Sequence, residues 1–193
     1  KHQKGFYTLG TIAALDSSTR SGFLTFVAFL MIEKEVASEL AATAILATVF
    51  GGMCGKYAVG LIAERIGVAR TIMLTEIATA GLIILVILLP SIAAFFVLPL
   101  LGVFLNGTSS AIYGSVANFI EGENHSRAYT LIYTLGFACG LVAPLLFGLL
   151  PDMTSITMTL VLVSIVALLT VPLCGTLAKA LSEAKENALD VST

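Results

Sequence analysis

The chain has 193 residues and a formal net charge of −2; 58% of it is hydrophobic and only 11% charged, with a mean hydropathy of +1.01. Soluble domains carry about 25% charged residues, so this composition belongs to a membrane protein. No Lys/Arg-rich run exists and Trp is absent, which excludes a nucleic-acid partner.

A bilayer core of about 30 Å needs about 20 mostly apolar residues per helix. Six blocks of that size follow one another: residues 6–32, 38–63, 71–89, 92–120, 128–150 and 155–177. Backbone groups in lipid must be satisfied within the segment, and no alternating pattern indicates a barrel, so the expected class is an all-α membrane protein with six transmembrane helices. Short joints at Glu33-Lys34-Glu35, around Gly67, at Pro90-Ser91, at 121–127 and at Pro151-Asp152 make successive spans antiparallel.

In the first span Asp16 and Arg20 stand four apart, on one helical face, where they can pair. Counted from residue 6 they lie roughly 15 to 22 Å deep, near the midplane. Each charge there costs about 2.5–3.5 kcal/mol on insertion scales. Apolar residues at both positions would avoid that cost, so their presence points to substrate binding or proton coupling, the alternative being a self-neutralising pair. Ser17, Ser18, Thr19 and Ser21 extend the polar patch. In the second span Lys56 lies close enough to the interface for snorkelling, or else partners Asp16 across the helices. Glu76 in the third span either serves structure near Arg70, the favoured reading, or takes a cavity role. The fourth span carries Asn106, Ser109, Ser110 and Tyr113, whose offsets of three, four and seven share a face that should point inward. In the fifth, Gly136, Gly140, Pro144 and Gly148 recur every four residues. Beyond the sixth span, residues 178–193 read as a short amphipathic continuation and then disorder.

Basic residues Lys1, Lys4, Arg65, Arg70, Arg127, Lys179 and Lys185 fall on the face that carries both termini, against Lys34 on the other. The positive-inside rule therefore predicts cytoplasmic termini in a multi-pass protein of the cytoplasmic (inner) membrane. Cys54, Cys139 and Cys174 are odd in number and lie in apolar stretches, as small hydrophobes do. With His2 and His125 as the only histidines, no metal site is expected, and no cofactor motif is present. The sequons at Asn106 and Asn124 read as accidental. The chain begins at Lys1 without a signal-peptide pattern and looks like part of something longer.

The joint between the second and third spans, Gly60-Leu-Ile-Ala-Glu64-Arg65-Ile-Gly67-Val-Ala-Arg70, is similar to the Gly-x-x-x-[Asp/Glu]-Arg-x-Gly loop, followed by a basic residue, of the major facilitator superfamily of secondary transporters. It departs from that pattern at Val68 and Ala69, where the family usually places another basic residue. The small residues and proline of the fifth span also resemble the family's corresponding helix. On these residues the chain resembles a C-terminal six-helix half of such a transporter. The resemblance implies two inverted three-helix repeats, about 6–89 and 92–177, within a bundle over 1–177, followed by a cytoplasmic tail over 178–193. It also implies that the first and fourth spans line the substrate path, and that an N-terminal six-helix half is the partner. The loop Gly60, Glu64, Arg65, Gly67 and Arg70 becomes a cytoplasmic gate, with Arg65 paired to Glu121 or Glu123.

The expected function is that of half a secondary active transporter moving a small solute by alternating access, coupled to an ion or to protons. No P-loop appears. Asp16 is the expected coupling group and Arg20 the electrostatic solute contact, with Asn106, Ser109, Ser110 and Tyr113 as hydrogen-bonding groups. An intramembrane enzyme would need a second carboxylate, a Ser–base pair or a metal at comparable depth, and the chain is expected not to be an enzyme. The other alternative is a non-transporting assembly or sensor module. The expected partners are thus the solute, protons, the lipid bilayer and the missing half.

Overall fold

In a computed structural model the chain is described over residues 2–119, 125–149 and 155–190. The elements are α1 (His2–Glu33), α2 (Ser38–Ala41), α3 (Thr43–Ile66), α4 (Val68–Leu88), α5 (Ser91–Gly114), a 3-10 turn (Val116–Phe119), α6 (His125–Gly148), α7 (Ile156–Leu168) and α8 (Thr170–Asp190). Among the described residues there is no strand. Ala42 and Leu169 keep helical angles between α2 and α3 and between α7 and α8, so the elements group into six rods.

Five rods are long and apolar enough to cross a membrane. The exception is α1, whose 32 residues reach about 48 Å at 1.5 Å per residue but whose centre holds Asp16-Ser-Ser-Thr-Arg20-Ser21. Its surroundings compensate. Helix α1 packs against α3, α5, α6, α7 and α8, so its polar centre is covered by neighbouring helices. The outer surface bears large apolar side chains such as Phe50, Tyr57, Phe96 and Leu145, as a lipid-facing surface requires.

Each joint has an identifiable cause. Gly67 alone separates α3 from α4, at φ 92° and ψ 148°, a conformation open essentially to glycine. Helix α4 therefore starts at Val68 rather than at 71, and Arg70 lies inside its first turn. At the opposite end Lys34 Nζ donates to Ile87 O at 2.8 Å and Leu89 O at 2.6 Å, covering carbonyls that a helix terminus leaves free. Ser155 caps α7 by accepting from Met158 N at 3.1 Å. Helix α8 runs on through Asp190, where disorder was expected after a short continuation.

Helices α3 and α5 pack backbone to backbone. A Cβ added to Gly51 would lie 2.6 Å from Pro99 C, and one on Gly55 2.6 Å from Val103 Cα. Between apolar helices in lipid the attraction comes from van der Waals contact, and glycine permits the closest approach. The glycines of α6 face α1 more loosely: a Cβ on Gly136 would sit 3.0 Å from Ser17 Oγ and one on Gly140 3.1 Å from Ser21 Oγ.

Helices α1 and α4 run in the same direction, since Lys34 just beyond the end of α1 reaches the end of α4 and Asp16 meets Glu76 at their middles. Helices α5, α7 and α8 each pack on both.

Candidate functional site

The core is stratified. Towards the Gly67 joint lies one apolar cluster that includes Leu9, Ile12, Ile72, Ile112 and Leu177. Towards the Lys34 joint lies another that includes Phe23, Val27, Ile83, Leu101 and Val163. Along each helix the residues between them are polar and buried: Asp16, Ser17 and Thr19 on α1, Glu76 and Thr79 on α4, Thr108 and Ser109 on α5, Ser164 on α7 and Thr170 on α8. A polar layer crosses the bundle at mid-height, where lipid offers no solvation.

Most hydroxyls in this layer satisfy themselves locally. Thr108 donates to Phe104 O, Ser109 to Asn106 O, Ser164 to Val161 O and Thr170 to Ala167 O, all at 2.6–3.0 Å, the usual resort of Ser and Thr inside helices. The charged groups reach further. Arg20 Nη2 lies 3.4 Å from Asp16 Oδ2 and donates to Ser17 Oγ at 3.1 Å, so the expected i,i+4 pair forms. The Asp16 side chain is 4% exposed and that of Arg20 21%; the carboxylate is sealed in while the guanidinium reaches a free surface.

That surface is a cleft of about 370 Å³ lined by Ser17, Arg20, Lys56, Ser109, Ser110, Tyr113, Tyr133 and Phe137, contributed by α1, α3, α5 and α6. Tyr113 and Tyr133 stack with ring centroids 4.0 Å apart and planes within 9°, bridging α5 and α6. The Tyr113 hydroxyl lies beside Ser17. The volume falls in the range of small-molecule pockets, about 300–1,000 Å³. The cleft presents two cations, hydroxyls and aromatic faces.

Of the six expected cavity residues, Arg20, Ser109, Ser110 and Tyr113 line this cleft. Asp16 stands behind Arg20, in the core. Asn106 lies elsewhere: its side chain fills the space over Gly52, where an added Cβ would come within 2.7 Å of its Cγ, and Nδ2 donates to Gly102 O at 3.4 Å. It belongs to the α3–α5 seam. Lys56 lines the cleft, and the carboxylate it was weighed against, Asp16, pairs with Arg20 instead.

Glu76 departs most from its expected place. Rather than standing near Arg70 it is buried, 2% exposed, with its carboxyl in hydrogen-bonding contact with that of Asp16. The thiol of Cys174, which donates to Thr170 O at 3.3 Å, lies near it on α8. A second carboxylate at the depth of Asp16 is thus present. Its own helix gave no sign of it, because the contact depends on how α4 is rotated towards α1. Tyr133 was also missed; an exposed tyrosine four residues from Tyr129 on an apolar helix carries no local signal.

The gate residues separate by depth. Gly60 faces α5, with Ser110 Cβ 4.0 Å from where its own Cβ would be. Glu64, Arg65 and Arg70 are exposed around Gly67. Gly67 and Arg70 border a groove of about 710 Å³ closed on the other side by Phe119 and the α8 residues Leu181 and Lys185. Glu121 and Glu123, the expected partners of Arg65, lie outside the described residues. So do Asn124 and the joint at Pro151-Asp152.

No protein-family model matches the chain, and no curated protein matches it.

Proposed function

We propose that the chain is half of a secondary carrier that moves a small organic anion across a membrane by alternating access. The supporting observation is the junction of Arg20 with the cleft: a buried carboxylate pairs with a cation whose other side meets an open, hydroxyl- and tyrosine-lined space. Arg20 and Lys56 supply positive charge for a carboxylate or phosphate. Tyr113 and Tyr133 supply flat apolar faces for the solute's body. Four helices line the cleft, while α4, α7 and α8 back it. The reading divides the six rods at Pro90 into two inverted three-helix units and assigns the cleft's open side to an N-terminal half, with both termini cytoplasmic.

The Asp16–Glu76 contact also brings an acid-pair hydrolase to mind. A catalytic dyad must touch its substrate, and both carboxyls lie in the core, outside the cleft lining. A sensor or assembly module would need neither cleft nor buried charge.

The test is uptake of radiolabelled benzoate and succinate by vesicles reconstituted with the intact protein. Saturable uptake above protein-free vesicles, lost in Arg20→Gln at equal protein content, is the expected outcome. Uptake that is unsaturable, or unchanged in Arg20→Gln, removes the proposal.

A further inference from the structure

The groove beside Gly67 takes no part in the cleft. Its walls come from the α3–α4 joint, the 3-10 turn and α8, and α8 packs on both α4 and the 3-10 turn. Part of that wall is apolar: Ala69, Phe119 and Ala184 are buried and Leu181 is half-buried. Two cations border the same space, Arg70 from α4 and Lys185 from α8, and among the described residues no carboxylate does.

Helical register explains why α8 presents a cation there. Ala178, Leu181, Ser182 and Lys185 all line the groove, and their offsets of three, four and seven make one stripe of a helix. Lys179 and Glu183 fall outside both the stripe and the lining. Across the groove, α4 starts at Val68 with no side-chain cap from Gly67. The first amides of a helix have no carbonyl of their own to bond, and Val68, Ala69 and Arg70, which carry them here, line the groove. Among the described residues the ion pair is Asp16–Arg20, so Arg70 and Lys185 are left for a charge from outside. Their level is set by α4, whose 21 residues reach about 32 Å at 1.5 Å per residue, the thickness of a hydrocarbon core. The first turn of α4, and Arg70 with it, therefore stands where oil gives way to headgroups.

We propose that this groove binds one anionic glycerophospholipid, with its phosphate held by Arg70 and Lys185 and its glycerol and upper acyl chain against Phe119 and Leu181. Each wall matches a part of that molecule. Arginine and lysine hold phosphate through charge-assisted hydrogen bonds, and the uncapped start of α4 adds favourable dipole to the same charge. Asn118 and Ser182, in the same lining, can bond the hydroxyls of a glycerol headgroup. The groove's volume of about 710 Å³ is ample for a headgroup, and basic pockets between membrane helices suit anionic lipids on physical grounds. A soluble phosphate has no use for the apolar wall. A choline lipid would bring a third cation to the two already there, and an acidic protein segment would have to displace lipid at the lipid's own level. The bound molecule ties α8 to the start of α4 at a joint that a single glycine otherwise makes. The proposal needs a membrane around the helices but does not rest on the carrier reading.

Native mass spectrometry of the intact protein in detergent micelles, titrated with dioleoylphosphatidylglycerol or dioleoylphosphatidylcholine, tests this. The expected result is one phosphatidylglycerol retained about tenfold or more tightly than phosphatidylcholine, and a loss of about fivefold in that affinity for each of Arg70→Gln and Lys185→Gln. Both side chains are exposed, so glutamine at either position leaves the fold intact. Lys179→Gln, on the same helix but off the stripe, should leave the affinity unchanged. Equal retention of the two lipids overturns the proposal, as does a Lys179→Gln protein weakened as much as Lys185→Gln, which would make the preference one of general surface charge. Glycerol 3-phosphate that displaces the lipid at equal concentration would reassign the groove to a soluble phosphate. A second copy of the chain retained in place of lipid would reassign it to a self-contact, and either outcome rejects the lipid.

Discussion

The α3–α5 seam and the α1–α4 layer are both buried at mid-height, and they solve the burial problem in opposite ways. Along the seam, Gly51, Gly52 and Gly55 let two helices meet backbone to backbone, and the polar side chain of Asn106 is accommodated over a glycine. Such an interface has a single close-packed arrangement. Between α1 and α4 the bridge is a carboxyl contact, with Asp16 paired within α1 to Arg20 and Glu76 Oε2 left without a hydrogen-bond partner. Packing alone would replace that layer with leucine. The difference separates the residues that hold the bundle together from those that act within it.

The comparison predicts effects of decreasing size. Gly51→Leu should do the greatest damage, because even its first carbon collides with the Pro99 backbone; a loss of more than about 3 kcal/mol, read as failure to recover folded protein in detergent, is expected. A well-folded Gly51→Leu protein would show the seam to be less tight than described. Arg20→Ala strands the Asp16 carboxylate and should destabilise by about 3 kcal/mol. The double change Asp16→Asn with Arg20→Gln should recover most of that Tm while anion uptake stays absent. Recovery of uptake together with Tm would make the pair purely structural. Lys34→Met removes two donors from the end of α4 and should cost about 1 kcal/mol, seen as faster amide exchange confined to the last turn of α4. Asn106→Ala should be the mildest, about 0.6 kcal/mol, with the half-saturating solute concentration unchanged. A tenfold rise there would return Asn106 to the solute path.

Much of the architecture could be read in one dimension, for reasons tied to particular residues. The spans were visible because lipid demands about 20 apolar residues in a row; five of the six expected blocks match their rods to within a few residues, while the sixth rod runs on to Asp190. Gly67 was visible because a charged, glycine-marked break between apolar runs must be a turn. The Asp16–Arg20 pair was visible because i,i+4 neighbours meet on any helix. Glu76 was misplaced by the same logic: local spacing offered Arg70 as its nearest charge, whereas its contact is sixty residues away in sequence. Asn106 shares a helical face with Ser109, Ser110 and Tyr113, but that face is broad enough for one edge to meet α3 while the rest meets the cleft.

Composition and periodicity by themselves determined that the chain is helical, that it is suited to a membrane, where its helices turn, and that one charged pair lies near the middle of the first. Those properties are local, set by the solvation of each residue and by the 3.6-residue repeat. Only the tertiary structure decided which helices are neighbours and how each is rotated about its axis. A rotation by one residue's width would have turned Glu76 away from Asp16 without altering any local preference, so the meeting of the two carboxyls is a property of the assembled bundle.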